Sequence, residues 1–198
     1  MNAEGYKLFP TLVVRLNSFL DKQQCADIFA YLKVLDMGEH NAIVGDGKSS
    51  FNEGKSYVLA DIAKDVASCK NIINDLQKAV EDYAAESRLV ISGLGNSWAN
   101  IQSEGSQLNQ HTHPACAIAG ALYINTDADS SRLCFDNPNP LVSFTRYLEG
   151  EPSEFSFATF CFTPKIGDLI LFPSWLRHGS DGEVNKTKDR TVISFNVV

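Results

Sequence analysis

The sequence lacks the patterns that mark several large classes of protein. Its five cysteines are widely spaced and form no Cys-x-x-Cys pair, which excludes a zinc ribbon and a thioredoxin-type motif. No segment approaches the roughly 18 consecutive apolar residues of a membrane-spanning helix. The first residues show no basic stretch followed by an apolar core, which is the pattern of a secretory leader. We therefore expect buried free thiols in a cytoplasmic protein that has no membrane partner.

Basic residues are also scarce, because 17 Lys and Arg stand against 24 Asp and Glu, for a net charge of −7. Without a cluster of positive charge, the chain has no surface that would follow a phosphate backbone. We expect no nucleic-acid partner and favour a small molecule, a peptide or a protein as substrate. No heptad pattern indicates an oligomer, so the oligomeric state stays open.

The composition, with 44% hydrophobic and 21% charged residues, is ordinary for a soluble globular protein. A chain of 198 residues can bury a substantial core, and we expect one domain over residues 1–198. Within it, residues 1–88 are predicted to form a helical support region and residues 89–198 a β-rich core.

The first half of the chain shows two helical patterns after an opening strand. Residues 8–16 alternate loosely between apolar and polar side chains, and Pro10 indicates a strand at a sheet edge. Asp21 can cap a helix whose apolar residues recur every three or four positions until Gly38 ends it. A longer apolar stripe predicts a second helix over residues 62–87. We expect both helices to pack on the outer face of a sheet.

After Arg88, short β-like runs separated by turn residues dominate the sequence. These runs cover residues 89–91, 97–102, 115–125, 133–136, 154–162, 168–173 and 191–198. With the opening strand they predict about eight short strands, a pattern typical of a sandwich or barrel.

The histidines stand where such strands would begin or end. His111 and His113 lie two residues apart ahead of one apolar run, and His178 follows another. Residues i and i+2 of a strand share a face, so His111 and His113 can hold one ion. Three imidazoles from two distant strands predict a metal site.

The fourth histidine, His40, has no suitably spaced partner and is predicted to be a solvent-exposed loop residue, with a substrate contact as the alternative. It lies in the turn-rich segment 38–54, which we interpret either as a mobile cover or as a surface excursion. Segments 38–54 and 136–153 are the predicted substrate walls, because both are long and rich in turn residues.

Strand alternation also predicts which side chains neighbour the metal. If the strand continues past Pro114, a row of alanines and then Tyr123 share the face of His111 and His113. The alanines leave room for a ligand, although tight sheet packing would also require small residues.

In the last strand, Arg190, Ser194 and Asn196 share one face. A buried arginine needs a partner, and no acidic residue lies on this face, so we expect an anion such as a carboxylate. The alternative is that Arg190 lies at the strand end and reaches solvent, Asp189 or Asp181.

Together these motifs resemble the Fe(II)- and 2-oxoglutarate-dependent dioxygenases, and more narrowly a little-characterised branch found in marine bacteria and phages. The resemblance covers roughly residue 98 to the C-terminus. Its motifs are Trp98 with Asn100, Asn109-x-His111-x-His113-Pro114, Gly120-Ala-Leu-Tyr123, Gly167-Asp-Leu-Ile-Leu-Phe-Pro-Ser-Trp-Leu-x-His178 and Arg190-x-x-Ile193-Ser194-Phe195-Asn196.

The resemblance implies a mainly β fold with flanking α-helices. This fold is a double-stranded β-helix, the cupin-like jelly roll, with the N-terminal helices packed on its outer face. The resemblance also implies an enzyme that uses Fe(II), O2 and the cosubstrate 2-oxoglutarate, with ascorbate as the expected reductant. Such an oxygenase hydroxylates a C–H bond of its substrate and releases succinate and CO2. A phage-encoded member would act in the host cytoplasm.

The family pattern also implies roles for individual residues. His111, His113 and His178 would be the catalytic metal ligands. The 2-oxoglutarate site would contain the following four residues: Arg190, Ser194, Tyr123 and Asn100.

One position departs from the family pattern. The usual metal triad is two histidines and a carboxylate, whereas His113 stands at the carboxylate position. Three neutral imidazoles leave the centre more positive, so Asp136 or Asp181 could complete the shell, or zinc could take the place of iron. The alternatives to an oxygenase are a three-histidine jelly-roll metalloenzyme that does not use 2-oxoglutarate and a non-catalytic jelly-roll binding module.

Overall fold

The computed structural model describes residues 4, 7–52, 56–144, 153 and 155–198. Its α-helices are α1 Lys22–Lys33, α2 Val58–Asp65 and α3 Ile72–Ser87. Its strands are β1 Val14–Leu16, β2 Ile43–Val44, β3 Gly47–Ser49, β4 Leu94–Gln102, β5 Gln107–Leu108, β6 Ile118–Asn125, β7 Leu133–Asp136, β8 Thr159–Phe162, β9 Leu169–Pro173, β10 His178–Gly179 and β11 Arg190–Val197. Two short 3-10 helices lie at Ala67–Cys69 and Pro140–Phe144.

The strands form two antiparallel sheets that face each other. The larger sheet has the order β1-β9-β6-β11-β4-β3, and the smaller has the order β10-β7-β8. Between them lies an apolar layer in which Tyr123 and Phe172 of the larger sheet meet Phe135 of the smaller. This arrangement is the jelly roll that the resemblance implied. Strands β2 and β5 form a separate two-stranded pair, and β5 lies just before His111 in the chain.

A second core lies on the opposite face of the larger sheet. Buried side chains of the helices, such as Ile28, Ile62 and Leu76, pack there with Leu122 and Ile193 of the sheet. The alternation of β6 and β11 therefore sends one set of side chains to the helices and the other to the interior of the jelly roll. The predicted position of the helices on the outer face is confirmed.

The predicted start of α1 is confirmed, but its predicted end is wrong. Asp21 accepts a hydrogen bond from the Gln24 backbone N–H at 2.8 Å, and the Gln24 side chain bonds back to Asp21 at 3.0 Å. The helix ends at Lys33 and not at Gly38. Gly38 exchanges two backbone hydrogen bonds with Ser49, at 3.0 and 2.8 Å, so the chain there is paired as in a strand.

The single long helix predicted over residues 62–87 is two helices. Val66 follows α2 with an extended backbone (φ −102°, ψ 105°), and α3 begins only at Ile72. Val66 and Ile72 are both buried, so the bend lets both helices turn apolar side chains toward the same core. A β-branched residue suits the extended break.

The predicted strand at residues 89–91 is absent from the described structure. Arg88 ends α3 in the left-handed region (φ 56°), and the Val90 side chain is 94% exposed instead of packed in a sheet. The opening strand shortens to Val14–Leu16, and its predicted edge position is confirmed because β1 is the outermost strand beside β9. The strand predicted over 154–162 is only β8, and residue 154 lies outside the described residues.

The expectation that all five cysteines are free thiols is wrong. Cys134 on β7 and Cys161 on β8 are direct cross-strand partners, and their sulfurs form a disulfide. Antiparallel pairing brings two such residues together although 27 positions separate them. Cys25, Cys69 and Cys116 are free. None of the helices in the described residues is long and apolar enough to cross a membrane.

Candidate functional site

Three of the four histidines meet at one end of the jelly roll. His111 and His178 exchange two backbone hydrogen bonds of 2.9 Å, and the backbone N–H of His113 donates to the Ser174 carbonyl at 2.9 Å. One nitrogen from each ring lies within 4.8 Å of the others. The predicted convergence of the three rings is therefore present. The strand predicted to continue past Pro114 does not, because Ala115 adopts a φ of 60° and β6 begins only at Ile118.

Each imidazole has its Nδ1 next to an oxygen. His111 Nδ1 lies 2.8 Å from the Asn109 carbonyl, and His178 Nδ1 lies 2.8 Å from the Leu176 carbonyl. A carbonyl can only accept, so these Nδ1 atoms carry the proton and donate it. The lone pair of each ring is then on Nε2, which is the atom that can bind a metal.

The Nδ1 of His113 also faces an oxygen, but this oxygen belongs to the side chain of Asn196. His113 Nδ1 lies 2.6 Å from Asn196 Oδ1, and His113 Nε2 lies 3.3 Å from His111 Nε2. Two nitrogens bound to one ion at about 2.1 Å each are roughly 3.0–3.4 Å apart for bond angles between square and tetrahedral. The observed separation fits a shared ion.

The three rings are neutral at physiological pH. Burial lowers the pKa of His113 to about 4 and that of His178 to about 3, and it also lowers the pKa of His111. Proximity of the rings to one another lowers the pKa values of His113 and His178 further. Neutral imidazoles keep the lone pairs that metal binding requires.

The predicted alternative ligands are engaged elsewhere. Asp136 accepts from Gln110 Nε2 at 2.8 Å and from Arg177 Nη1 at 2.8 Å. Asp181 is exposed. Within the described part of the chain, the close group of potential metal ligands contains the three histidines and no carboxylate.

Arg190 opens β11 and lies deep inside the fold, with 3% of its surface exposed. Its Nε donates to the Ser131 carbonyl at 3.2 Å, and its Nη1 donates to Gln102 Oε1. No carboxylate among the described residues pairs with it, since Asp189 pairs with Lys33 at 2.9 Å. The guanidinium has five N–H donors, so donors remain for an anion. The alternative in which Arg190 reaches solvent, Asp189 or Asp181 is therefore wrong.

A cavity of about 290 Å³ connects Arg190 with the histidines. Its lining includes every site residue that the sequence predicted, namely His111, His113, His178, Arg190, Ser194, Tyr123 and Asn100. The guanidinium of Arg190 lies 5.4 Å from the centre of the Tyr123 ring. Burial raises the pKa of Tyr123, although Arg190 opposes this rise, so the hydroxyl keeps its proton and can donate it.

Two amide side chains that line the cavity have buried polar atoms without a partner among the described residues. Gln102 Nε2 and Asn100 Oδ1 make no hydrogen bond with the described residues. Unpaired buried polar atoms cost free energy, so these atoms indicate a polar ligand in the cavity. A carboxylate beside Arg190 would satisfy the donor Nε2 of Gln102.

The prediction that His40 is a solvent-exposed loop residue is wrong. His40 is half-buried, lines the cavity, and packs edge to face on Phe51 with ring centres 5.0 Å apart. Burial lowers its pKa, and His111 lowers it further. Residues of the predicted wall 38–54 therefore line the cavity. The described residues of the other predicted wall, 136–144 and 153, do not line it, and residues 145–152 lie outside the described structure.

A protein-family model described as "Putative 2OG-Fe(II) oxygenase" matches residues 96–196. The match spans β4 to β11 and includes all seven predicted site residues. The chain belongs to the 2OG-Fe(II) oxygenases. The enzyme is therefore an oxidoreductase that depends on 2-oxoglutarate and Fe(II), and it uses O2. Its placement in a branch of marine bacteria and phages stays a prediction.

Solved structures of 2OG-Fe(II) oxygenases share the fold of this enzyme. HygX from Streptomyces hygroscopicus, with nickel and 2-oxoglutarate bound, is 14% identical and has a TM-score of 0.63, covering 94% of this chain and 82% of its own. A prolyl-4-hydroxylase of Pseudomonas putida is 11% identical, with a TM-score of 0.59 and coverages of 94% and 91%. The collagen prolyl hydroxylase of Paramecium Bursaria Chlorella virus-1 is 12% identical, with a TM-score of 0.55 and coverages of 93% and 94%. Among curated proteins, no sequence matches this oxygenase.

Sequence reasoning assigned no role to two residues that contact the site, although a signal for both was present. Gln102 shares a face of β4 with Asn100 and pairs directly with Arg190 across the sheet. Asn196 shares the face of Arg190 and Ser194 and reaches His113. Strand alternation alone places both on the cavity side. For His40 the sequence offered only its place in the predicted wall 38–54, because the position of the ring depends on how segment 38–52 folds back.

Proposed function

We propose that this oxygenase hydroxylates a C–H bond of its substrate and binds Fe(II) through His111, His113 and His178. The observation that carries the proposal is the common orientation of the three rings. Each Nδ1 faces an oxygen, so each Nε2 lone pair is free to bind one metal ion. Imidazole suits iron, and three protein ligands on one side leave positions for 2-oxoglutarate and O2.

Arg190, Ser194, Tyr123 and Asn100 are the proposed residues of the 2-oxoglutarate site. The buried guanidinium has no counter-ion among the described residues and can form a bidentate pair with the far carboxylate. The protonated Tyr123 hydroxyl and the Ser194 hydroxyl can each donate a further hydrogen bond. Because Arg190 is buried, its charge acts in a low-dielectric environment, where pairing with an anion is stronger than in water.

Fe(II) with bound 2-oxoglutarate supplies the oxidation, in which 2-oxoglutarate, O2 and a substrate R–H become succinate, CO2 and R–OH. The chain orients the cosubstrate through Arg190 and keeps the three ligand rings neutral by burial. Phe172 and Trp98 pack against the ligand rings, with centre distances of 4.5 Å to His178 and 5.5 Å to His113. These aromatic side chains exclude water from one side of the centre.

Composition and family support proposals about the domain organisation, location, reductant and substrate class. We propose that residues 1–198 act as one domain in the cytoplasm, with ascorbate as reductant. The net charge of −7 supports a small molecule, peptide or protein as substrate in preference to nucleic acid.

The test is uncoupled succinate formation by the purified protein with Fe(II), ascorbate and 2-oxoglutarate in air. We expect His178→Ala to abolish it and Arg190→Ala to require roughly 100-fold more 2-oxoglutarate, because a buried charge-assisted carboxylate contact is lost. Under anaerobic conditions, 2-oxoglutarate should produce a metal-to-ligand charge-transfer band in the wild type. The same band should be absent from His178→Ala.

Two results would overturn the proposal. One is an enzyme that binds zinc in preference to Fe(II) and shows neither succinate nor the charge-transfer band. The other is an unchanged band in His178→Ala, which would place the metal elsewhere. Asp181→Ala is the matched control, because Asp181 is exposed and lies outside the histidine group.

A further inference from the structure

A row of aromatic rings leads from the histidine centre to the surface segment 38–52. Trp98 lies 5.5 Å from His113, Phe51 lies 5.2 Å from Trp98, and His40 lies 5.0 Å from Phe51, each measured between ring centres. His40, Phe51 and Trp98 all line the cavity that contains the three ligand rings. These three residues form an aromatic wall.

The aromatic wall is pre-formed, because hydrogen bonds tie segment 38–52 to β4. The Ser50 backbone N–H donates to the Ala99 carbonyl at 2.9 Å, and the Ser50 hydroxyl accepts from the Ala99 backbone N–H at 2.9 Å. Ser49 Oγ accepts the Phe51 N–H at 3.1 Å. The segment is therefore held against the sheet and is not a loose cover, so the positions of His40 and Phe51 can serve binding.

His40 presents a hydrogen-bond donor from this wall. Its Nδ1 accepts the Ala42 backbone N–H at 3.1 Å, so the proton of the neutral ring is on Nε2. No described residue accepts a hydrogen bond from His40 Nε2. A ligand that contacts Phe51 and Trp98 can therefore complete its contacts by accepting from this nitrogen.

The charges around the cavity restrict what can bind there. No acidic residue is among the described residues that line it, and Arg190 is the single lining residue with a full charge. The proposed function assigns Arg190 to 2-oxoglutarate. A charged group entering beside the aromatic wall would lose its hydration without gaining a protein counter-ion.

The volume is restrictive as well. The cavity of about 290 Å³ lies at the lower end of the range for ligand pockets, and 2-oxoglutarate must also fit. One small molecule, or one side chain of a larger substrate, is what the remaining space can take.

We propose that His40, Phe51 and Trp98 form the subsite for the hydroxylated substrate, and that the subsite takes an uncharged, flat or apolar group bearing a hydrogen-bond acceptor, such as a ring with an amide. The assignment of this group as substrate rests on the proposed function, because that function places the oxidation beside the wall. His40 is the residue that recognises the acceptor, and the two other rings pack on the apolar part.

Three probes of equal shape and different charge test the proposal: benzamide, benzoate and benzamidine. In Trp175→Phe, Trp98 is the single tryptophan, so its fluorescence reports binding at the wall whether or not metal is bound. Trp175 itself is 55% exposed and does not line the cavity. With saturating 2-oxoglutarate present to occupy Arg190, we expect benzamide to bind about tenfold or more tightly than either charged probe, because the charged probes lose hydration without gaining a counter-ion.

In the same background, His40→Ala should weaken benzamide binding about tenfold, which is the effect of one lost hydrogen bond and one lost ring contact. His40→Asn retains an N–H donor and should lose less. Glu39→Ala, an exposed neighbour in the same segment, is the control and should bind benzamide like the parent. Equal binding of the three probes, no binding of benzamide, or unchanged binding in His40→Ala would each overturn the proposal.

Location is tested with Mn(II) and 2-oxoglutarate present. Mn(II) in the histidine centre should broaden the ring-proton resonances of benzamide, whereas diamagnetic Zn(II) should not. If benzamide binds through His40 but Mn(II) does not bind the protein, the subsite stands and the metal assignment fails. If Mn(II) binds and bound benzamide is not broadened, the metal assignment stands and the subsite is overturned.

Discussion

Asn196 Oδ1 lies 2.6 Å from His113 Nδ1, which joins the last strand of the jelly roll to the histidine centre. The amide has one orientation, because Asn196 Nδ2 donates to Asn96 Oδ1 at 2.9 Å and so turns the oxygen toward the ring. His111 and His178 are oriented by backbone carbonyls. Of the three rings, His113 is thus the one whose orienting atom belongs to a side chain.

Removal of that side chain should weaken metal binding. We expect Asn196→Ala to lower Co(II) affinity about 10–100-fold, because an unsupported imidazole loses its orientation and its fixed tautomer. Asn196→Asp keeps an acceptor and should bind Co(II) at least as well as the wild type. Anaerobic calorimetric titration measures both, with Asn125→Ala as a control at a distant position of β6. Equal affinity in Asn196→Ala and wild type would show that the contact does not support the ligand.

Gln102 should contribute to cosubstrate affinity. Its Oε1 accepts from Arg190, and its buried Nε2 has no partner among the described residues, so a carboxylate bound to Arg190 is within its reach. We expect Gln102→Leu to raise the Kd of 2-oxoglutarate roughly 10–100-fold. Gln102→Glu should raise it further, since a carboxylate there pairs with Arg190 and repels the cosubstrate.

Titration of the anaerobic charge-transfer band measures that Kd, and Fe(II) binding serves as the internal control. Wild-type affinity for 2-oxoglutarate in Gln102→Glu would contradict the proposed position of the carboxylate.

The pairing of Gly120 with Phe195 should be sensitive to a single methyl group. The two residues are direct partners on β6 and β11, and a Cβ on Gly120 would overlap carbons of the Phe195 ring. Phe195 is 1% exposed, so its ring is enclosed by neighbouring residues. We expect Gly120→Ala to lower the free energy of unfolding by about 2 kcal/mol through overpacking.

Urea unfolding followed by circular dichroism measures this loss. Adding Phe195→Leu to Gly120→Ala should recover part of the lost stability, because the smaller leucine side chain leaves room for the new methyl group. Strict additivity of the two single changes would show that the residues do not interact as the structure places them.

The Cys134–Cys161 disulfide should stabilise the fold and set the thiol count. Under denaturing conditions without reductant, we expect three reactive thiols, from Cys25, Cys69 and Cys116, and all five after reduction. Reduction should lower the free energy of unfolding by about 3 kcal/mol, because the disulfide closes a loop of 27 positions in the unfolded chain.

The double variant Cys134→Ala/Cys161→Ala should have the stability of the reduced protein and no response to reductant. Five reactive thiols before reduction, with a melting temperature that dithiothreitol leaves unchanged, would contradict the disulfide.

Local periodicity carried much of the fold prediction. The period of two in β7 and β11 predicted those strands closely, and it correctly placed Arg190 and Ser194 on one face. Asp21 predicted the start of α1 because a capping box needs only residues a few positions apart. Helix continuity was mispredicted across Val66, since an apolar stripe continues in the sequence even where the backbone bends to fit a sheet.

Local sequence was enough to predict the histidines and the arginine that meet in the cavity. His111, His113, His178 and Arg190 could be recognised because alternation and spacing are properties of neighbouring residues. Three contacts could be seen only in the folded chain: Cys134 meets Cys161, Gln102 reaches Arg190, and His40 packs on Phe51 in the cavity lining. These contacts depend on strand register and on where a loop folds back. Neither is encoded in the pattern of a single segment.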